Sequence, residues 1–454
     1  MMMAKTAGKA LVVSLLVGLA CGGFAVAAPY SAGAETQPGD ESPEVYGNMP
    51  QRYTPFGKFV EPYKRFFLEE IPYRGPGRDI PEPTDLKSVK IGFIGPIEHT
   101  VSVATGGASH EEALGLMMLH GAQLALEQAN ARGGYRGKLP YEFVVVNDNG
   151  LWGSSGNEII KLSYTEKVWT IIGTIDGANS HIAIRVALKT EVPVMNTADT
   201  DPTYSETNIP WAFRCIGDDR QMAYLLADHL FSNLKITRVA ALRANNRYGR
   251  VSFNKMRASC TRAGHTFVTE LNYKVGDTDF GPQLQRIAAL EPQVVVTWGD
   301  ARESALILRQ MRAMGMKQPL VGSDRMVSEE FLKIAGEDAE GTIAGYPWDP
   351  TRRDPKLEKF REDFRRKFSV PPETYAAHAY DGTNLVIGAI EKAGLNRAKI
   401  RDALAAVKSY PGVTGDIIFD AVHQDVGEVT LARVEKGQWR FYTREQLGLP
   451  LKGQ

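Results

Sequence analysis

Cysteine is scarce in this chain: 454 residues carry only Cys21, Cys215 and Cys260. None sits in a CxxC or any other metal-ligand spacing, which excludes a disulfide-stapled scaffold and a cysteine-rich zinc module. An excess of one charge is also missing, because 53 Lys and Arg stand against 53 Asp and Glu. No basic field is therefore available to hold nucleic acid or an anionic membrane. The signatures of common enzymes are absent as well. No GxGxxG follows a strand, and there is no GxxxxGK[ST], GxSxG or HExxH. The nearest thing to a cofactor loop, Gly173 to Ser180, lacks the glycine spacing that lets amides approach a pyrophosphate. The eight histidines form no paired metal spacing, and His110-Glu111-Glu112 reads as the acidic first turn of a helix. The expectation is a protein with no catalytic residues, no cofactor and no metal.

Long apolar runs are missing except at the start. Lys5 and Lys9 precede an uncharged stretch from Ala10 to Ala28, and Ala25-Val26-Ala27 offers the small residues a signal peptidase accepts. The strongest apolar part, Leu11 to Ala20, is short for a bilayer core, which needs about 20 residues. Residues 1–27 are therefore read as an export signal. A lipid anchor at Cys21 is the alternative, with Gly18 standing where such a motif usually has Leu. Removing the signal leaves 51 basic against 53 acidic residues. The two remaining cysteines are placed at opposite ends of a sheet, Cys215 opening a helix and Cys260 closing one, which argues against their pairing.

Residues 28–86 form a different region, interrupted by proline from Pro29 to Pro83 yet rich in Tyr and Phe between Tyr46 and Tyr73. Proline at that density excludes long helices and central strands, while the rings are too many for a solvated linker. An extended arm packed on its own domain is the reading.

From Val89 the pattern becomes strand, helix, strand, helix. Val89 to Ile94, Tyr141 to Val146, Trp169 to Ile172 and Val192 to Met195 read as strands; helical spacing lies between them. The alternation restarts at Asp218 and runs to Val321, followed by helices over Pro355 to Phe368 and Ala376 to Ala393 and a β-rich tail. This is an α/β pattern with parallel sheets covered on both faces. A single sheet of ten or more strands is unusual, so two lobes are expected.

Polar residues gather where strands end, and ligands of open α/β sheets bind outside the carboxyl ends of strands. Asp176-Gly177-Ala178-Asn179 leads into a helix whose amides suit a carboxylate. Asp199-Thr200 follows another strand, and Asp300 and Asp324 hold equivalent places in the second half. Each acid alone also reads as a helix cap. Together they suit an ammonium group or, less readily, a hard cation.

Several short segments carry a resemblance. They include Gly121-Ala122-Gln123-Leu124-Ala125, Asn130 to Gly137, Ile171-Ile172-Gly173, Asn246-Arg247-Tyr248-Gly249 and Asp279-Phe280. Leu308-Arg309-Gln310, Tyr380-Asp381-Gly382 and Gly412 to Asp416 complete the order. From Val89 to Tyr442 the chain resembles the leucine/isoleucine/valine-binding family of periplasmic solute-binding proteins, which serve ABC importers. The resemblance implies two doubly wound parallel-sheet lobes joined by a hinge of three crossings, near Cys215, Gly345 and Gly427. It implies lobe 1 over 87–214 and 346–427, lobe 2 over 215–345 and 428–454, and a solute held between them. It maps ligand contacts onto Ala178, Asn179, Asp199, Thr200 and Asp324, with Tyr248 at the cleft edge and aromatic positions near Asp300 and Tyr375. Ala178, where relatives often have serine, offers only its amide. The added acids Asp176, Asp199 and Asp300, with Arg325 beside Asp324, point to an amino-acid-like or cationic solute rather than an aliphatic amino acid. A longer loop from Pro96 to Glu112 reshapes the entrance. The expected partners are the solute and ABC permease subunits, with the protein in the periplasm and no membrane span after processing. The alternatives are a sensor that signals to a membrane receptor through the arm, and an enzyme on the same fold.

Overall fold

The computed structural model describes residues 70–97 and 110–449, with side chains from 113 onward in the second stretch. The export signal, Cys21, the arm before Glu70 and most of the loop from Pro96 to Glu112 lie outside the described residues.

Apolar strands too short to stand alone are buried on both faces by helices, giving two sheets. The first has five strands in the order β2-β1-β3-β4-β5. These are β1 (Val89–Gly95), β2 (Tyr141–Asn147), β3 (Ile171–Ile172), β4 (Val194–Asn196) and β5 (Ala212–Arg214). All its pairings are parallel. Helices α1 (His110–Ala131), α2 (Trp152–Ile160), α3 (Gly177–Thr190) and the single turn α4 (Thr203–Glu206) connect them.

The second sheet has seven strands in the order β14-β13-β10-β9-β8-β6-β7. In chain order its elements are α5 (Asp219–Asp228), β6 (Val239–Ala244), α6 (Phe253–Arg262), β7 (Phe267–Tyr273), α7 (Gly281–Ala288), β8 (Val294–Trp298), α8 (Ala301–Ala313), β9 (Leu320–Gly322), α9 (Glu329–Ala335) and β10 (Ile343–Tyr346). Then come α10 (Pro355–Phe368), α11 (Thr374–Ala393), α12 (Arg397–Ala405), a small hairpin of β11 (Tyr410–Pro411) and β12 (Asp416–Ile417), and finally β13 (Thr430–Glu435) and β14 (Gln438–Tyr442). In the large sheet β13 pairs antiparallel with both β10 and β14, and the other pairings are parallel. Val294, Val295 and Val296 are fully buried, as a central strand between two helix layers requires.

Three passages join the lobes. Arg214 ends β5 and Asp218 caps α5 in a reciprocal capping box with Gln221. Cys215 therefore follows a strand instead of opening a helix, a correction to the sequence reading; three residues give β5 no periodic signal. Cys215 and Cys260 are both free and buried. After β10 the chain returns to the first lobe, where α11 lies along α1. The approach needs Gly121, because a Cβ there would stand 1.9 Å from the Ala376 carbonyl oxygen. The last passage enters β13, whose Thr430 hydroxyl lies 3.1 and 2.9 Å from the carbonyl oxygens of Tyr346 and Trp348.

Residues 70–86 run over the first lobe. The Tyr73 ring meets Trp211 edge-on at 4.9 Å and its hydroxyl donates to Glu191 at 2.7 Å. Arg78 grips Asp402 through two bonds of 2.8 Å, and the Asn396 amide donates to the carbonyls of Gly77 and Ile80.

Candidate functional site

The site is built where the carboxyl ends of both sheets meet. In the first lobe, Gly173 follows β3 with φ +135°, and a Cβ there would stand 2.1 Å from the Ile94 carbonyl oxygen. Only glycine admits this turn. Asp176 then caps α3, accepting from the Ala178 amide at 2.8 Å. Gly177 is closely covered as well, since a Cβ would lie 2.5 Å from Asp201 Oδ2 and 2.9 Å from Arg247 Nε. Asn179 turns inward, donating to Asp148 at 3.2 Å, and burial raises the Asp148 carboxyl.

The loop after β4 is folded by its own side chains. Asn196 Oδ1 accepts from the amides of Ala198 and Asp199, and Asp199 Oδ1 accepts from the Asp201 amide at 2.9 Å. Burial, then the neighbouring Asp201 charge, pushes the Asp199 carboxyl up to about 7. The Thr200 hydroxyl donates to Asp219 Oδ2 at 3.0 Å, a bond from the first lobe to the second.

In the second lobe Asp324 is the centre, 2% exposed. The Tyr248 phenol donates to its Oδ1 at 2.8 Å, and the phenol oxygen lies 2.6 Å from the Ser323 hydroxyl. From the first lobe, the Tyr375 phenol donates to Asp324 Oδ2 at 2.5 Å. Burial and then the Asp324 charge hold both phenols well above their ordinary values, so neither serves as a base. Arg325 lies 4.0 Å over the Tyr248 ring and pairs with Asp300 at 3.2 Å.

The structure thus brings Thr200, Tyr248, Asp300, Asp324 and Tyr375 to one place, with Asp176, Gly177 and Ala178 beside it around Asp201 and Arg247. It turns Asn179 away and holds Asp199 within its own loop. Sequence reasoning missed Asp219. This residue is fully buried in the first turn of α5, where it accepts from Thr200 and from the Trp298 indole at 3.2 Å. Burial, then the charge of Asp324, raises its carboxyl well above the ordinary range. Its available signal was the doubled acid Asp218-Asp219 just beyond a passage between lobes, which reads as a helix cap. Two further links between the lobes were also missed, Arg247 to Asp201 at 2.8 Å and Lys255 to Glu206 at 3.0 Å.

The chemistry of this arrangement is recognition. Carboxylates are faced by phenols, an indole and hydroxyls, and no nucleophile stands against a base. Among the described residues, no cluster of three or more His, Cys, Asp or Glu is placed to hold a metal. A cavity of about 1100 Å³ opens at the β14 end of the same edge, lined by Arg352, Lys356, His378, Asp425 and Arg444 among others. None of the expected site residues lines it. Two of its cations are paired locally, Arg352 with Asp354 at 2.9 Å and Arg444 with Asp228 at 2.6 Å. The cleft is the stronger candidate, because there side chains of both lobes converge on buried carboxyl groups.

No described helix is long and apolar enough to cross a membrane. The Leu/Ile/Val-binding protein homolog 2 of Brucella abortus (strain 2308) is 27% identical over 342 residues, covering 75% of this chain and 90% of that one. Among solved structures, the branched-chain amino acid transporter substrate-binding protein LivJ of Streptococcus pneumoniae, in complex with isoleucine, superposes with a TM-score of 0.70 at 26% identity. It covers 79% of this chain and 100% of its own. A solute-binding protein of an ABC transporter from R. palustris, in complex with benzoate, shares the fold with a TM-score of 0.69 at 18% identity, over 78% of this chain and 96% of its own. A profile of the periplasmic binding protein family matches residues 88–438. The chain belongs to the periplasmic binding protein family, and is a substrate-binding protein with the type I fold of two lobes and three crossings, not an enzyme.

Proposed function

We propose that this protein captures a small polar metabolite, an amino-acid-like or cationic solute, between its lobes outside the cytoplasm and delivers it to an ABC importer. The observation that carries this reading is the pair of side-chain bonds across the cleft, Tyr375 to Asp324 and Thr200 to Asp219. Buried polar groups meeting at a lobe boundary can exchange one another for a guest as the lobes close. Asp176, Gly177, Ala178, Thr200, Tyr248, Asp300, Asp324 and Tyr375 form the proposed lining, joined by Asp219 and by Oδ2 of Asp199, while Asn179 is turned to Asp148. The names of the relatives, Leu/Ile/Val-binding protein and an isoleucine-bound LivJ, support the amino-acid-like class.

Residues 70–86 make their contacts with the first lobe itself, which lends no support to a sensor that signals through the arm. Calorimetry of the purified protein against amino acids, amines and metal ions tests the proposal. Saturable binding of a solute that is lost on Asp324→Ala supports it, and heat from none of them counts against it.

A further inference from the structure

We infer that the solute enters the cleft as a donor-bearing cation without a carboxylate of its own. The inference rests on the cleft being the binding site, and deepens that reading by naming the chemical class.

The groups that would hold a ligand carboxylate already face carboxylates of the chain. Asp176 stands on the positive end of α3 and takes the Ala178 amide at 2.8 Å. An arriving carboxylate would meet its charge there. The Thr200 hydroxyl and the Trp298 indole both donate to Asp219, at 3.0 and 3.2 Å. The phenols of Tyr248 and Tyr375 both donate to Asp324, at 2.8 and 2.5 Å. The two guanidinium groups are paired, Arg247 with Asp201 and Arg325 with Asp300. A carboxylate guest would have to take these donors from buried internal carboxyl groups and leave those groups without them.

Acceptors, by contrast, are in surplus. Asp201 and Asp300 are matched by arginine and the Arg214 charge acts on Asp199, whereas the donors at Asp219 and Asp324 are a hydroxyl, an indole and two phenols, all neutral. Asp199 is 3% exposed, and its Oδ2 is buried without a well-aligned hydrogen bond, although the Ser180 hydroxyl beside it partly offsets the burial. The nearby Ser180 hydroxyl is engaged with Thr174 at 2.6 Å and Asn196 at 3.1 Å. An ammonium, amidinium or guanidinium brings donors and positive charge to these acceptors, and the neutral donors it replaces leave no charge behind. The phenol rings of Tyr248 and Tyr375 beside Asp324 suit such a cation further.

Matched ligands test this directly. Isoamylamine is leucine without its carboxylate; putrescine and agmatine carry two cationic ends. Calorimetry on the full chain is expected to rank at least one of these amines about tenfold or more tighter than L-leucine and L-glutamate. Equal or tighter binding of leucine overturns this inference and leaves the capture reading standing. No heat from any amine or amino acid overturns both. Asp324→Asn is expected to weaken the amine about tenfold or more while the melting temperature holds, and an unchanged affinity contradicts the inference. Asp176→Ser keeps a helix cap but removes its charge, so leucine binding should strengthen. If it does not, Asp176 is not what excludes a carboxylate.

Discussion

Two equally buried polar regions lie at the junction of the lobes, and they use their hydrogen bonds differently. At the hinge, side chains bond mainly to backbone. Arg214 donates to the carbonyls of Asp199 and Asp201, at 3.1 and 2.5 Å. Asp381 accepts from the amides of Val413 and Thr414, and Asp425 from those of Ile418 and Gly427. In the cleft, side chains bond to side chains: Tyr248 and Tyr375 to Asp324, Thr200 and Trp298 to Asp219, Arg325 to Asp300. Backbone-directed bonds fix the path of a crossing whatever the lobes do. Side-chain pairs can be traded for a ligand at little structural cost. The same burial thus serves a pivot in one region and recognition in the other.

The comparison can be broken first at the hinge. Arg214 is fully buried and holds Asp218 at 3.3 Å as well as the two carbonyls. Arg214→Met removes one partner of a buried charge and strands those acceptors, so unfolding in urea should show a loss of about 3–5 kcal/mol. A loss below about 1 kcal/mol would mean that the hinge bonds do not fix the crossings.

A smaller effect is expected at the rim of the cleft. Arg247 is 32% exposed in its side chain and pairs with Asp201 across the lobes. Arg247→Ala should leave stability within about 1 kcal/mol of the parent, because a rim pair is screened by water. Small-angle scattering should nevertheless show a more open average. An unchanged scattering profile would mean that this pair does not help hold the lobes together.

The smallest expected effect is a matter of sign. Burial pushes the Asp425 carboxyl up to about 7. In the unfolded chain it ionises near 3.9, so between about pH 4 and 7 the folded state binds the extra proton and stability falls as pH rises. Both amide bonds reach Oδ1 alone, which an asparagine oxygen can keep. Asp425→Asn should therefore match the parent near pH 5 and exceed it in melting temperature near pH 7.5. A variant less stable at the higher pH would show that the ionised carboxylate is what the hinge needs.

Much of this frame was legible in the sequence because it rests on patterns with a period. Val89 to Ile94 is apolar but for Lys90 and Gly92, Val294 to Val296 is apolar throughout, and both lie in buried strands. The helix α1 follows its apolar spacing from Leu114 to Ala125. Polar residues at strand ends single out Asp176, Thr200, Asp300 and Asp324 in the sequence itself. Short or polar elements escaped. β5 has three residues, and α12 begins at an Asn396 cap among charged side chains. Asp219 escaped for another reason. Its role depends on Thr200 and Trp298, both distant in the chain, and no local pattern reports a contact made by tertiary folding. Arg214 escaped likewise, since nothing in Phe213-Arg214-Cys215 tells a buried guanidinium from an exposed one.

Closure around a guest is the central claim, and small-angle scattering with and without ligand tests it most directly. Adding saturating amounts of the tightest-binding amine should shrink the radius of gyration, and Asp324→Ala should abolish the change. A radius that stays constant in the presence of a ligand shown by calorimetry to bind would contradict the account.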